Sequence, residues 1–217
     1  LQEVETVLHK KGIPFFLFVG KESHKDMARW LKKLGVGGLV TDFFPLRVSM
    51  TWTNEVVKML DIPVYQVDAH NVIPCWVTSV KQEFAARTIR PKIHKLLSEY
   101  LTDIPVVEKQ RSHAPFTYQK TDWKALLAQG VSDTGPQPVD WIKPGEGAGK
   151  EALRIFIEER LMKYDIDRND ATKEGQSDLS PYFHYGHLSP QRAAWEVRSA
   201  PVSMEARQVF LEELIVR

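Results

Sequence analysis

The run IPFFLFV, residues Ile13–Val19, is the stretch on which the reading of the fold turns. It is continuously apolar and of strand length, and an amphipathic helical pattern over Leu1–Lys11 precedes it. The same alternation repeats downstream. Met27–Leu34 is helical, Gly38–Thr41 a second short strand, Thr53–Leu60 a helix and Pro63–Val67 (PVYQV) a third strand. Strands that are apolar without alternation, separated by amphipathic helices, predict a parallel sheet covered by helices on both faces. The first part of the chain therefore reads as α/β and Rossmann-like. Its first strand is expected to be missing, because Leu1 falls inside a helical pattern.

Breakers then accumulate. Pro105, Pro115, Gly135, Pro136, Pro138, Pro144, Gly145, Gly147 and Gly149 all precede Lys150, which predicts a long connector with one short helix over Trp123–Gln129. Beyond it every periodic segment is helical. Leu153, Phe156, Ile157, Leu161 and Tyr164 share one stripe of a helix. Ser189 before Pro190 is a cap and first-turn pair for a helix running to about Arg198, and Ser203 is placed to cap another running to Arg217. The division is 1–110 for the α/β domain, 111–150 for the linker and 151–217 for the start of an all-α domain.

Bulk composition narrows the function only slightly. Lys and Arg number 29 against 28 Asp and Glu, so the net charge of +1 rules out a uniformly basic nucleic-acid binder, and any such contact must be local. The one cysteine, Cys75, has no internal partner for a disulfide and is expected to be a small buried hydrophobe. No run of 18 apolar residues is present, which predicts no membrane span. The chain starts without methionine and stops within an apolar helical pattern, so both natural termini are expected to lie outside it.

Four features carry possible chemistry. KPGEGAGKE (Lys143–Glu151) suggests a phosphate loop, but Pro144 stands where the first glycine is required and Glu151 follows the lysine, so a flexible linker is expected. GQSDLSPYFHYG (Gly175–Gly186) joins two helices and offers Gln176, Ser177, Asp178 and Ser180 beside backbone N–H groups. Such a turn serves either as a helix cap through Asp178 or Ser180, or as a seat for a phosphate. His184 and His187 have no third ligand at a helpful spacing and read as a structural pair. Glu213 projects between Val209 and Phe210 on a helix that is apolar around most of its circumference. A carboxylate there is expected to be partly buried, with Arg217 four residues on as the obvious salt-bridge partner.

Five ordered motifs are similar to those of class II cyclobutane pyrimidine dimer photolyases. They are LVTDFFPLR (Leu39–Arg47), VYQVDAHNVIPCW (Val64–Trp76), FAARTIRPKI (Phe84–Ile93), YDIDRNDATKEGQSDLSPYFHYGHLSPQR (Tyr164–Arg192) and FLEELIVR (Phe210–Arg217). The resemblance implies an α/β antenna domain followed by a helical domain that holds FAD. It assigns the flavin phosphates to Tyr164 and to Ser177, Asp178, Leu179 and Ser180. Asp178 departs from the asparagine or arginine expected there, and a carboxylate beside a pyrophosphate is unfavourable unless it faces away. By the same resemblance Arg168 faces the DNA backbone, with a surface salt bridge to Asp165 or Asp170 as the plainer alternative. Glu213 matches the glutamate that meets the flipped-out dimer.

The resemblance also implies a light-driven repair of ultraviolet-damaged DNA, in which reduced FAD donates an electron to the pyrimidine dimer and recovers it after the ring opens. An antenna pigment, deazaflavin or folate, is expected, with no residue assigned to it. The expected protein is a monomer located wherever DNA is, in the nucleus of a eukaryote or the cytoplasm of a prokaryote. The 217-residue chain by itself is expected to be inactive. A cryptochrome-like blue-light receptor without repair is the alternative. An NAD-type oxidoreductase is disfavoured, since no Gly-x-Gly-x-x-Gly turn follows a strand.

Overall fold

The structure, a computed structural model, describes residues 1–111, 120–130, 135 and 139–217. The rest of the expected connector, 112–119, 131–134 and 136–138, lies outside the described residues. In chain order the elements are α1 (Gln2–Lys10), α2 (Ser23–Leu34), β1 (Leu39–Asp42), α3 (Arg47–Met59), β2 (Val64–Val67), α4 (Cys75–Thr78), α5 (Ala86–Tyr100), α6 (Trp123–Gly130) and α7 (Glu146–Ile155). A π turn (Phe156–Arg160) and a 3-10 turn (Leu161–Lys163) lead into α8 (Tyr164–Asp167), followed by α9 (Ser180–His184), α10 (Pro190–Ser199) and α11 (Met204–Ile215).

The α/β character of the first half holds. β1 and β2 pair in parallel, Leu39 opposite Val64 through Asp42 opposite Val67, with α3 as the crossover. Ala28 of α2, Val56 of α3 and Leu60 form a small core against Leu39 on one face of the pair. Two expectations fail. Among the described residues the other face is open, for Val40, Tyr65 and Val67 are exposed, and only one side of the sheet is covered.

Ile13–Val19 is also not a strand of the sheet. Its apolar run is only partly buried, with Val19 exposed, and its phenylalanines find aromatic partners instead of a ladder. Phe16 and Phe18 pack on Trp30 at 4.6 and 5.6 Å, and Phe15 approaches Trp123 at 6.4 Å. A two-stranded sheet is marginal alone and depends on such packing.

The loop after β2 is organised by Asp68. Its buried carboxylate accepts the backbone N–H groups of His70, Asn71 and Cys75 at 3.2, 3.1 and 3.0 Å, and the Asn71 amide at 2.9 Å. Those bonds turn the chain so that Val72 and Ile73 point inward while Cys75 stands exposed at the start of α4. The expected burial of Cys75 is therefore wrong, although its amide is held by the Asp68 carboxylate.

Val72 and Ile73 join Ile93 and Leu101 of the α5 region and Ala194 of α10 in a second core, against which Leu211, Leu214 and Ile215 of α11 pack. The two halves thus share this core. The helical half has its own, built from Leu153, Phe156, Leu161, Tyr164, Leu179, Tyr182 and Phe210. The KPGEGAGKE segment is not the flexible linker expected, because α7 begins at Glu146 and Gly149 packs beneath Tyr182 and Leu188. Glu146 N–H donates to Glu3 at 2.9 Å, and Gly145 N–H donates to His187 Nδ1 at 3.2 Å. Among the described residues no helix is long and apolar enough to cross a membrane.

Candidate functional site

The site starts from the stripe predicted for one helix. Leu153, Phe156, Leu161 and Tyr164 are all buried as expected, but the backbone passes through a π turn and a 3-10 turn before α8. π turns are rare and concentrate at functional sites. Here the irregular stretch delivers Tyr164 into an aromatic cluster. Its ring stands edge-on to Phe156 at 5.4 Å and Phe210 at 5.5 Å, while Phe156 and Phe210 lie 4.8 Å apart. Burial pushes the Tyr164 phenol up from its ordinary value, and the neighbouring Arg168 guanidinium opposes that shift.

Arg168 follows α8 directly, and its guanidinium lies 5.9 Å from the centre of the Tyr164 ring. Neither Asp165 nor Asp170 is its salt-bridge partner. Asp170 folds onto its own turn, accepting Thr172 N–H at 3.0 Å and Thr172 Oγ1 at 2.6 Å. Arg168 Nη1 instead reaches Glu213 Oε1 at 2.9 Å, and the hydrogen bond it donates to that carboxylate raises the arginine above its usual value. Glu213 is partly buried, as expected, and Arg217 also approaches it at 3.3 Å. Two residues 45 positions apart, chosen separately from the sequence, thus form one ion pair over Tyr164. They line a cavity of about 930 Å3 together with His94, Arg207 and Arg217.

The neighbouring carboxylate of α11 turns the other way. Glu212 takes Arg90 of α5 at 2.6 Å, with His94 at 3.9 Å. Adjacent positions on a helix point about 100° apart, so the two glutamates tie α11 to two different elements.

The serine turn leans on the same framework. Gly175 is buried so closely against Asp167 that a Cβ would sit 2.5 Å from its carbonyl. Gln176 Nε2 donates to the Arg168 carbonyl, and Leu179, fully buried, shares a core with Tyr164. Ser177, Asp178 and Ser180 remain on the partly or fully exposed side. Neither Asp178 nor Ser180 caps α9, contrary to expectation. Leu179 occupies the cap position, and the nearest side-chain acceptor is Ser177 Oγ, 3.5 Å from Leu179 N.

Asp178 fails as a cap because its backbone is left-handed, φ 57°, and its carboxylate pairs with Arg160 at 2.5 Å. Ser189 likewise stands at a cap position without a capping bond, whereas Ser203 accepts Ala206 N–H at 3.2 Å as expected. His184 and His187 pack among aromatic rings, His184 edge-on to Tyr185 at 4.8 Å.

A flavin diphosphate needs open donors and no opposing charge. Among the described residues the N–H groups of Ser177, Asp178 and Ser180 have no acceptor, and the Asp178 carboxylate is committed to Arg160. The turn fits the group on both counts. The five-residue α9 adds little dipole, so the local amides carry this fit. The Tyr164 ring shares a core with Leu179, and its hydroxyl end lies near Arg168 and Glu213. Sequence reading missed Arg160, Arg90 and Gly175. The partners of the two arginines lie 18 and 122 positions away, beyond any helical spacing.

The chain is similar to several known proteins. The chain is 40% identical to the deoxyribodipyrimidine photo-lyase of Potorous tridactylus over its whole length, spanning 41% of that protein. It is 40% identical to the deoxyribodipyrimidine photo-lyase of Arabidopsis thaliana, again over its whole length and spanning 46% of the relative. The chain thus spans less than half the length of these relatives. Among solved structures, a Synechocystis sp. PCC6803 cryptochrome shares the fold at 17% identity, with a TM-score of 0.65 over 88% of this chain and 42% of that one. The DNA photolyase family model matches residues 1–110, and the chain belongs to that family.

Proposed function

We propose that a full-length protein carrying this chain is a class II, light-dependent photolyase that binds FAD and repairs cyclobutane pyrimidine dimers in DNA. The observation that carries this reading is the Arg168–Glu213 pair, half-sheltered over Tyr164 at the edge of a cavity and braced against a turn of open amides. The relatives at 40% identity bear the name deoxyribodipyrimidine photo-lyase, which points the same way.

In this reading the amides of Ser177, Asp178 and Ser180, with the serine hydroxyls, hold the flavin phosphates, and Leu179 anchors the turn beneath them. Reduced FAD, when bound, supplies the light-excited electron. Glu213 offers its carboxyl group to a thymine ring turned out of the duplex. The Glu213 side chain is only partly exposed, which strengthens that hydrogen bond relative to one made in open water. Arg168 has five N–H donors in a fixed fork, enough to keep one on Glu213 while another meets a DNA phosphate. The division into an antenna domain (1–110), linker (111–150) and helical domain (151–217), an antenna pigment of the deazaflavin or folate type, a monomeric state and residence with the DNA belong to the same reading.

Blue-light repair of dimer-containing oligonucleotides by the full-length protein tests it. Repair that falls at least tenfold in Glu213→Ala, with flavin still bound, is the expected result. A protein that binds FAD and leaves the dimers intact is a receptor of the cryptochrome kind and refutes the repair reading. The 217-residue chain assayed alone is expected to show no repair.

A further inference from the structure

Asp178 poses a physical problem for a phosphate-binding turn. It is the one non-glycine residue with positive φ among the described residues, and it places a carboxylate where anions are to be received. Like charges a few ångströms apart repel strongly wherever water is partly excluded. Asparagine would hold the same left-handed backbone without the charge, so the fold alone does not require an aspartate.

Arg160 answers the problem. It closes the π turn between α7 and α8, four residues before Tyr164, and its Nη1 meets Asp178 Oδ2 at 2.5 Å. The arginine side chain is 21% exposed and the aspartate 65%, so the carboxylate has swung outward onto a guanidinium rooted in the core. The Nε of Arg160 is buried and makes no hydrogen bond among the described residues. Arg160 Nη1 is directed at the turn.

We infer that Arg160 is a positioning residue of the anion-binding turn, which draws the Asp178 carboxylate away from the open amides and cancels its charge. The inference rests on the reading of that turn as the seat of the flavin phosphates. It makes the turn plus Arg160 near neutral, where the turn alone is anionic.

The test is FAD affinity of the full-length protein, followed by flavin fluorescence, with circular dichroism as a check of folding. Arg160→Gln should weaken binding about tenfold, the effect of losing one charge-assisted contact, and Arg160→Lys should recover most of it. Asp178→Asn should bind as tightly as the parent or more tightly, and the double variant Arg160→Gln, Asp178→Asn should lose little. If Arg160 were only a structural latch, breaking the pair from either side would do equal harm.

Asp178→Asn weakening FAD as much as Arg160→Gln therefore overturns the inference. Unchanged affinity in Arg160→Gln overturns it too. Should Arg160→Gln not fold, Asp178→Asn decides alone, tighter or equal binding in support and weaker binding against. Ser177→Ala with Ser180→Ala separates the two levels. Loss of affinity there with none in Arg160→Gln defeats this inference only, and no loss in either defeats the phosphate seat itself.

Discussion

Removing each arginine that touches Glu213 in turn should show that Arg168, and not the neighbouring Arg217, is its energetic partner. Distance does not separate them: 2.9 and 3.3 Å differ by only about a tenth in Coulomb energy. Exposure does. Arg168 is 22% exposed and Arg217 is 55% exposed, so water and salt screen the second pair far more than the first.

A half-sheltered pair lies between the near-zero value of exposed pairs and the several kcal/mol of buried ones. We expect a coupling of about 1–2 kcal/mol between Arg168 and Glu213 and below about 0.5 kcal/mol between Arg217 and Glu213. Double-mutant cycles with Arg168→Met, Arg217→Met and Glu213→Gln, followed by urea unfolding of the 217-residue chain, measure both. With a urea slope of about 2 kcal/mol/M, the stronger coupling moves the midpoint by about 0.5–1 M. Salt at 1 M should abolish the Arg217 coupling and spare most of the other. Equal couplings, or loss of both in salt, would refute the argument that burial selects the partner.

Local geometry sets three further outcomes. Ser203→Ala should cost about 1 kcal/mol by removing the bond to Ala206 N–H, whereas Ser189→Ala, which breaks no capping bond, should stay within about 0.5 kcal/mol; thermal unfolding compares them. Gly175→Ala forces a methyl group against the Asp167 carbonyl and should destabilise the chain by about 1–3 kcal/mol while loosening the serine turn, read as faster hydrogen exchange across 176–180. The Glu83 carboxyl is lowered from 4.5 to about 2, chiefly by its hydrogen bond from Lys92 and then by Thr88 and Ser79. Because the folded value is the lower one, its contribution is present above about pH 4.5 and is lost as pH falls toward 2. The Tm advantage of the parent over Glu83→Gln should therefore close across that window, and an advantage that persists at pH 2 would contradict the assignment.

Helical periodicity in the second half reports burial faithfully and partners poorly. Leu153, Phe156, Leu161 and Tyr164 are buried as their spacing requires, even though the backbone beneath them is not one regular helix. β1 and β2 are legible because two short apolar runs flank a helix, the pattern of a parallel crossover. Ile13–Val19 carries the same apolar signal without being a strand, since Trp30 and Trp123 satisfy it without a ladder.

The site divides in the same way. Glu213 with Arg217 is visible at a spacing of four, but Glu213 with Arg168 needs α8 and α11 to meet in space. The cap expected from Asp178 or Ser180 fails because a third force, the Arg160 charge, competes for the aspartate.

That competition bears on how α11 presents its carboxylate. Glu213 is not held by its pair with Arg168 alone, because Glu212 grips Arg90 on α5 from the next position around the helix. One contact fixes a point on a helix and still permits rotation about it. Two contacts set about 100° apart, to elements on different sides, remove that freedom. Phe210 closes the arrangement from below, locked among Phe156 and Tyr164, so that sliding along the axis would break ring contacts at 4.8 and 5.5 Å. The residues that touch α5, the π turn and α8 therefore act together on the Glu213 side chain. A site that must meet a base within hydrogen-bond distance needs this kind of restraint, since a misplacement of about 1 Å can cost a hundredfold in rate.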